Sequence, residues 1–250
     1  MLKLRGNDIV DKVLKVAKLN IRDMIKRIIM FYLFTSVALM FFVNIGQYVD
    51  ILLPMIMDIL TFIFLLTCMM NTLKNKFNFA QGNNISRNTF IKGSIISIFP
   101  VAALMAVIDF AINRTMNLFV KAPTIYDLLF TSFGKFRNLQ ERLNWVQDGS
   151  INAIIGSIIF SFLVYGLASI IGLVIGVGYL RISEKSQLIW SGICTGIWIY
   201  WLNSDSKSII FEKFTISENN RGYLAIFIYI LIFSSLVYSA IKLIKKAVVS

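Results

Sequence analysis

The chain has no histidine in its 250 residues. That removes an imidazole base, a histidine metal ligand and the zinc-protease helix motif. There are two cysteines, Cys68 and Cys194, each inside a separate apolar run. Such a pair builds no metal set and no disulfide framework, so both read as small buried residues. No phosphate-binding loop is written in the sequence, since the stretch from Gly82 to Gly93 lacks the closing Gly-Lys-Ser/Thr. No Gly-x-Ser-x-Gly elbow occurs either. A carboxylate-pair enzyme needs two acids that meet. Asp58 and Asp109 are the one available pair, and neither sits in a recognisable motif. The chain therefore reads as a non-enzyme with no metal or cofactor of its own.

Charge is scarce as well. Charged residues make up 15%, against about 25% in ordinary soluble domains. Apolar residues make up 57%, and the mean hydropathy is +0.74. Residues 28–49, 59–73, 93–108, 149–180, 186–204 and 222–241 hold no Asp, Glu, Lys or Arg. Crossing the hydrocarbon core takes roughly 20 helical residues. An open sheet cannot satisfy its backbone in lipid, and these runs are too long for barrel strands of about 10 residues. The expected class is an all-α polytopic membrane protein with six spans.

The net charge of +12 suits nucleic acid in principle. The basic residues flank the apolar runs instead, where they set topology, so no nucleic-acid partner is expected. The first apolar run begins near residue 28, is too long for a signal-peptide core, and is not followed by a small-residue cleavage site, so it reads as a span.

Residues 1–27 read as an amphipathic interfacial helix. Val10, Val13, Leu14, Ala17, Ile21, Met24 and Ile25 recur at helical spacing, with Lys15, Lys18, Arg22 and Lys26 on the other face. Residues 28–250 form the transmembrane domain. Its spans are expected near 28–47, 51–72, 90–112, within 150–180, 187–203 and 222–241. Pro100 should kink the third. Gly172, Gly176 and Gly178 suggest that the fourth is tilted or split. Gly192 and Gly196 allow close helix contact in the fifth. The loop 73–92 is polar, and over 74–93 it holds four basic residues and no acid. Ser86 is a candidate N-cap there. Within 113–149, Pro123-Thr124 with Asp127 marks a helix start. Leu129, Phe133, Phe136, Leu143 and Val146 then give an apolar stripe, read as an external amphipathic helix.

With the N-terminus inside, interior segments carry 17 of the 25 Lys and Arg, and exterior segments carry 8. Both ends inside satisfies the positive-inside rule. Asp58 and Asp109 fall within spans. Asp109 is expected to pair with Arg114 near the outer surface. Asp58 is expected either to bond a neighbouring helix or to line a translocation path, since charges inside membranes are costly and often functional. The four tryptophans partly fit an interfacial belt.

This arrangement resembles the permeases of ABC exporters of the second type: an elbow helix, six spans, a cytosolic loop between spans two and three, and an external helix between halves. The loop Phe77-Asn78-Phe79-Ala80-Gln81-Gly82-Asn83-Asn84-Ile85-Ser86-Arg87-Asn88-Thr89-Phe90 resembles an aromatic, Gly-x-x-Ile-Ser-Arg-x-x-Phe pattern in small permeases of Gram-positive bacteria. The long external segment departs from that group. The resemblance implies a multi-pass protein of the bacterial plasma membrane that pairs with a second permease subunit, identical or related. It implies cytosolic ATPase subunits that bind ATP and Mg. The coupling element would be Gly82, Asn83, Asn84, Ser86, Arg87 and Phe90. Gly82 permits a sharp reversal, Ser86 caps the following helix, and Arg87 offers a forked donor to an acidic partner surface. The cargo expected is peptides, antimicrobial compounds or lipids. A secondary carrier, or a non-transporting immunity or sensor protein on the same scaffold, would share most of these features.

Overall fold

The computed structural model describes residues 2–45, 53–119, 123–131, 145–179 and 221–245. Span five (187–203), with Cys194, Trp190, Trp198, Trp201, Gly192, Gly196, and the Phe133–Leu143 part of the expected external helix lie outside the described residues.

The described residues are helical, without strands: α1 (Leu2–Ile45), α2 (Leu53–Gly82), α3 (Arg87–Met116), α4 (Ile125–Phe130), α5 (Ile151–Tyr179) and α6 (Arg221–Lys245). Three of them are long and apolar enough to cross a membrane: Met57–Gly82, Arg87–Met116 and Ile151–Tyr179. At 1.5 Å per residue, the 30 residues of α2 and the 30 of α3 each reach about 45 Å, roughly 15 Å beyond a hydrocarbon core. The chain is thus an α-helical protein with three helices of membrane-spanning length and composition, as a membrane protein has.

α3 lies at the centre, against α1, α2, α5 and α6, while α2 packs most extensively on α5. The core runs along these contacts. Leu65, Met69 and Leu73 of α2, Ile98, Ala102 and Met105 of α3, and Ile170 and Leu173 of α5 are all buried.

α1 runs unbroken through the expected boundary at 27/28. Residues 24–31 contain no proline or glycine, so nothing ends the helix there. One face is buried throughout: Val13, Val16, Ala17, Asn20, Met24, Ile28, Tyr32, Thr35 and Leu39 follow the helical repeat. From Ile29 the opposite face is apolar and exposed, with Met30, Leu33, Phe34, Val37 and Met40, as a lipid-facing surface would be. The first part of α1 therefore packs on protein. Val13 and Val16 meet Gly93, where an added Cβ would stand 2.7 Å from the Val16 side chain. Asn20 Nδ2 donates to Ser94 Oγ at 3.1 Å.

α3 continues through Pro100 as one helix. α5 likewise runs unbroken past its glycines. Gly172 and Gly176 serve contact: Cβ atoms there would meet the Leu66 and Met70 carbonyls of α2, the latter at 2.9 Å. This small-xxx-small pair lets two backbones approach. Cys68 is buried and free, as expected of a small core residue. Trp145 is buried rather than placed in an exposed belt.

Candidate functional site

Two polar places stand out in the apolar bundle. The first is the α2–α3 tip. Most of the segment expected as a loop is helix, and the link is four residues, 83–86. The reversal is not made by Gly82, which is helical. Asn84 makes it, with φ 55°, the one left-handed non-glycine residue among those described. Asparagine tolerates that region because its short polar side chain bonds locally. Two backbone bonds close the turn, Ile85 N–H to Ala80 O at 3.0 Å and Asn84 N–H to Gln81 O at 3.1 Å. Together they form a Schellman termination. Gln81 Nε2 adds a bond to Ile85 O at 2.9 Å.

Ser86 then caps α3. Its backbone is extended, and its Oγ accepts from Thr89 N–H at 3.2 Å. Phe90 is buried edge-on against Phe77, with ring centroids 5.8 Å apart. It braces the tip from inside and presents no surface. Asn83, Asn84, Ser86 and Asn88 are exposed, and Arg87 is half-buried in the first turn of α3.

Lys76, expected in the loop, sits on α2 and pairs with Asp23 of α1 at 2.9 Å; Arg27 joins the same carboxylate at 2.8 Å. Burial would raise the Asp23 pKa. The Lys76 hydrogen bond and charge, with Arg27 and Lys26, outweigh burial and leave the carboxyl below its ordinary range.

The second place is inside the bundle, and it brings Asp58 and Asp109 together. Asp109 is buried on α3. Tyr32 of α1 donates to its Oδ1 at 2.6 Å, and Tyr165 of α5 donates to its Oδ2 in a shorter bond. The Tyr165 Oη also lies 3.5 Å from Asp58 Oδ1. Asp58 Oδ2 accepts the Ile125 N–H at the start of α4, at 2.9 Å. Thr61 is completely buried one turn below Asp58. Tyr165 stands at the midpoint of α5, 14 residues from either end. The cluster is therefore deep in the bundle, and Asp109 is about 33 Å along α3 from the tip.

Arg114 is not the partner of Asp109. It donates to the Asp148 carbonyl at 3.0 Å and lies over the Phe110 ring. Neither Asp58 nor Asp109 is ion-paired with a described residue. Tyrosines replace the expected cation because α1 and α5 bring their hydroxyls to the carboxylate, while Arg114 lies a further turn along α3.

The ends of α3, α4 and α5 remote from the tip close over this site. Thr124 caps α4 in a reciprocal capping box with Asp127, as the sequence signalled. Asp127 Oδ2 also takes Gln147 Nε2 at 3.3 Å, and Gln147 bonds Asn113 and Asn117 of the α3 end. Residues 145–150 are not helical, so Val146 is no part of a helical stripe.

Sequence reading missed Tyr32, Tyr165 and Thr61. The available signal was weak: of two tyrosines inside charge-free runs, Tyr165 lies away from the span ends where tyrosine is usual, while Tyr32 falls near the start of its expected span. Among the described residues no group of three acids or cysteines could hold a metal ion. Comparison with protein-family models, curated proteins and solved structures found no match.

Proposed function

We propose that this chain is the membrane-spanning subunit of an ATP-driven exporter of the bacterial plasma membrane, with six spans and both ends cytosolic. Separate cytosolic ATPase subunits supply ATP and Mg chemistry, and a second permease subunit completes the pathway. The observation that carries the reading is the α2–α3 hairpin. Two unbroken helices extend past the membrane thickness and end in a hydrogen-bonded four-residue turn. A push on such a turn moves both spans, because no flexible loop absorbs it. The Asp23–Lys76 pair and the Asn20–Ser94 bond tie the hairpin to α1. The tip offers amide and hydroxyl groups and Arg87 to an acidic groove, while Phe90 acts only as its internal brace. The cargo is an amphipathic peptide, an antimicrobial compound or a lipid, by analogy with the resemblance in the loop.

The test is purification of the intact chain from its own cells. An ATPase should co-purify and hydrolyse ATP faster with the chain present. Arg87→Glu should lower both binding and stimulation. An Arg87→Glu protein that retains both would end the coupling role. A second reading, a secondary carrier, is favoured by two carboxylates within the bundle, the half-buried Asp58 and the buried Asp109, neither ion-paired with a described residue. Transport by the purified chain in proteoliposomes without ATP would favour it.

A further inference from the structure

Tyr165 has two carboxylate neighbours and one hydroxyl proton to give. The shorter contact, to Asp109 Oδ2, takes that proton. Tyr32 gives its own proton to the other Asp109 oxygen. Asp109 thus receives one O–H donor on each oxygen, the pattern that suits an ionised carboxylate. What remains on the Tyr165 oxygen is an acceptor, facing Asp58 Oδ1 at 3.5 Å. A bare Asp58 carboxylate would set oxygen lone pairs against each other there. A protonated Asp58 donates through Oδ1, while its Oδ2 takes the Ile125 N–H.

The described elements around the cluster agree. α1 contributes Tyr32, α2 Thr61, α3 Asp109 and α5 Tyr165. α4 contributes the Ile125 N–H and, two residues on, Asp127 in its own capping box. α6 places Tyr229 beside Gly166, the neighbour of Tyr165. Arg114 is engaged by the Asp148 carbonyl. Two like charges bridged by one hydroxyl, with no cation paired to either among the described residues, are not both sustained in a low-dielectric interior. Thr61 is wholly buried beside them, and its hydroxyl is a further hydrogen-bonding neighbour of Asp109 and Tyr32.

We propose that Asp58, Tyr165 and Asp109 form a proton-binding site in which the two aspartates share one proton. The proton rests on Asp58, Tyr165 relays between the carboxyls, and Asp109 carries the single negative charge. Binding takes the proton from bulk water and release returns it there; no bond other than O–H changes. The proposal does not rest on the exporter reading, since it concerns the bundle interior and not the tip.

Infrared spectroscopy of the full chain in lipid nanodiscs reads the protonated carboxyl directly. At neutral pH the wild type should show a buried carboxylic-acid C=O band that shifts on labelling aspartate with carbon-13. The band should vanish in Asp58→Asn, stay in Asp127→Asn, and move in Tyr165→Phe, which loses the hydroxyl it donates to. Absence of an aspartate-derived band in the wild type would overturn the proposal, and that measurement needs no variant to fold. Persistence of the band in Asp58→Asn would also overturn it. So would loss of the band when sodium replaces choline at fixed pH, which would make this a metal-ion site.

Discussion

Gly172 and Gly178 lie six residues apart on α5 and meet opposite surroundings. A Cβ at Gly172 would stand on the Leu66 carbonyl of α2, whereas no described residue lies within 4 Å of one at Gly178. The neighbour at Gly172 is backbone, which cannot swing aside. Gly172→Ala should therefore push α2 and α5 apart, at the roughly 1–3 kcal/mol typical of overpacking. Gly178→Ala should be neutral or stabilise by up to about 1 kcal/mol through helix propensity. Thermal unfolding in detergent compares the two. Equal stability of the wild type and Gly172→Ala would mean that the helices do not cross this closely. The sequence marked these glycines but not their use. Spacing cannot tell a helix break from a helix contact when the contacted backbone, Leu66 to Met70, lies about a hundred residues away.

At the scale of elements, one carboxylate ties α1 to α2 by charge. Asp23 serves both Arg27 on its own helix and Lys76 on the next. Its folded pKa is lowered, so its contribution is present above the unfolded value of about 4 and is lost as pH falls through the lower folded value. Asp23→Asn leaves Lys76, whose side chain is 16% exposed, without its acid. A loss of about 1–3 kcal/mol at neutral pH is expected for stranding such a group. As pH falls from about 4 through the lower folded value, the wild type should lose stability that Asp23→Asn has already lost, so the two unfolding curves should converge. Parallel curves would sink the pairing as a stabiliser.

Local signals at these elements were legible. Ser86 and Thr124 cap as their residue types and spacing require, because a cap is decided within four residues. The helix boundary at 27/28 was not legible, since a change from basic to apolar faces alters what the helix touches without breaking its backbone. The turn was assigned to Gly82 on glycine's freedom, yet Asn84 takes the left-handed position two residues later. Tyr32 and Tyr165 find Asp109 from 77 and 56 residues away. No local pattern encodes such a meeting.

For the whole molecule, α3 decides which polar ends face apart. It is one helix from Arg87 to Met116, with mean hydropathy 2.4 over its most apolar stretch. Residues 83–86 sit at one end and residues 145–150 cover the other, through the Arg114–Asp148 and Asn117–Gln147 bonds. If α3 crosses once, these two segments face opposite compartments. The positive-inside rule then predicts the basic tip inside and the 145–150 segment outside. Cysteines placed at Asn83 and Gly149, both exposed, in a chain with Cys68 and Cys194 replaced by serine or alanine, report this directly. A membrane-impermeant maleimide should label Gly149→Cys in intact cells, and Asn83→Cys only after the membrane is opened. Labelling of Asn83→Cys in intact cells would invert the topology and move the tip away from any cytosolic ATPase. Labelling of both from one side would mean that α3 does not cross, and the six-span arrangement would fall with it.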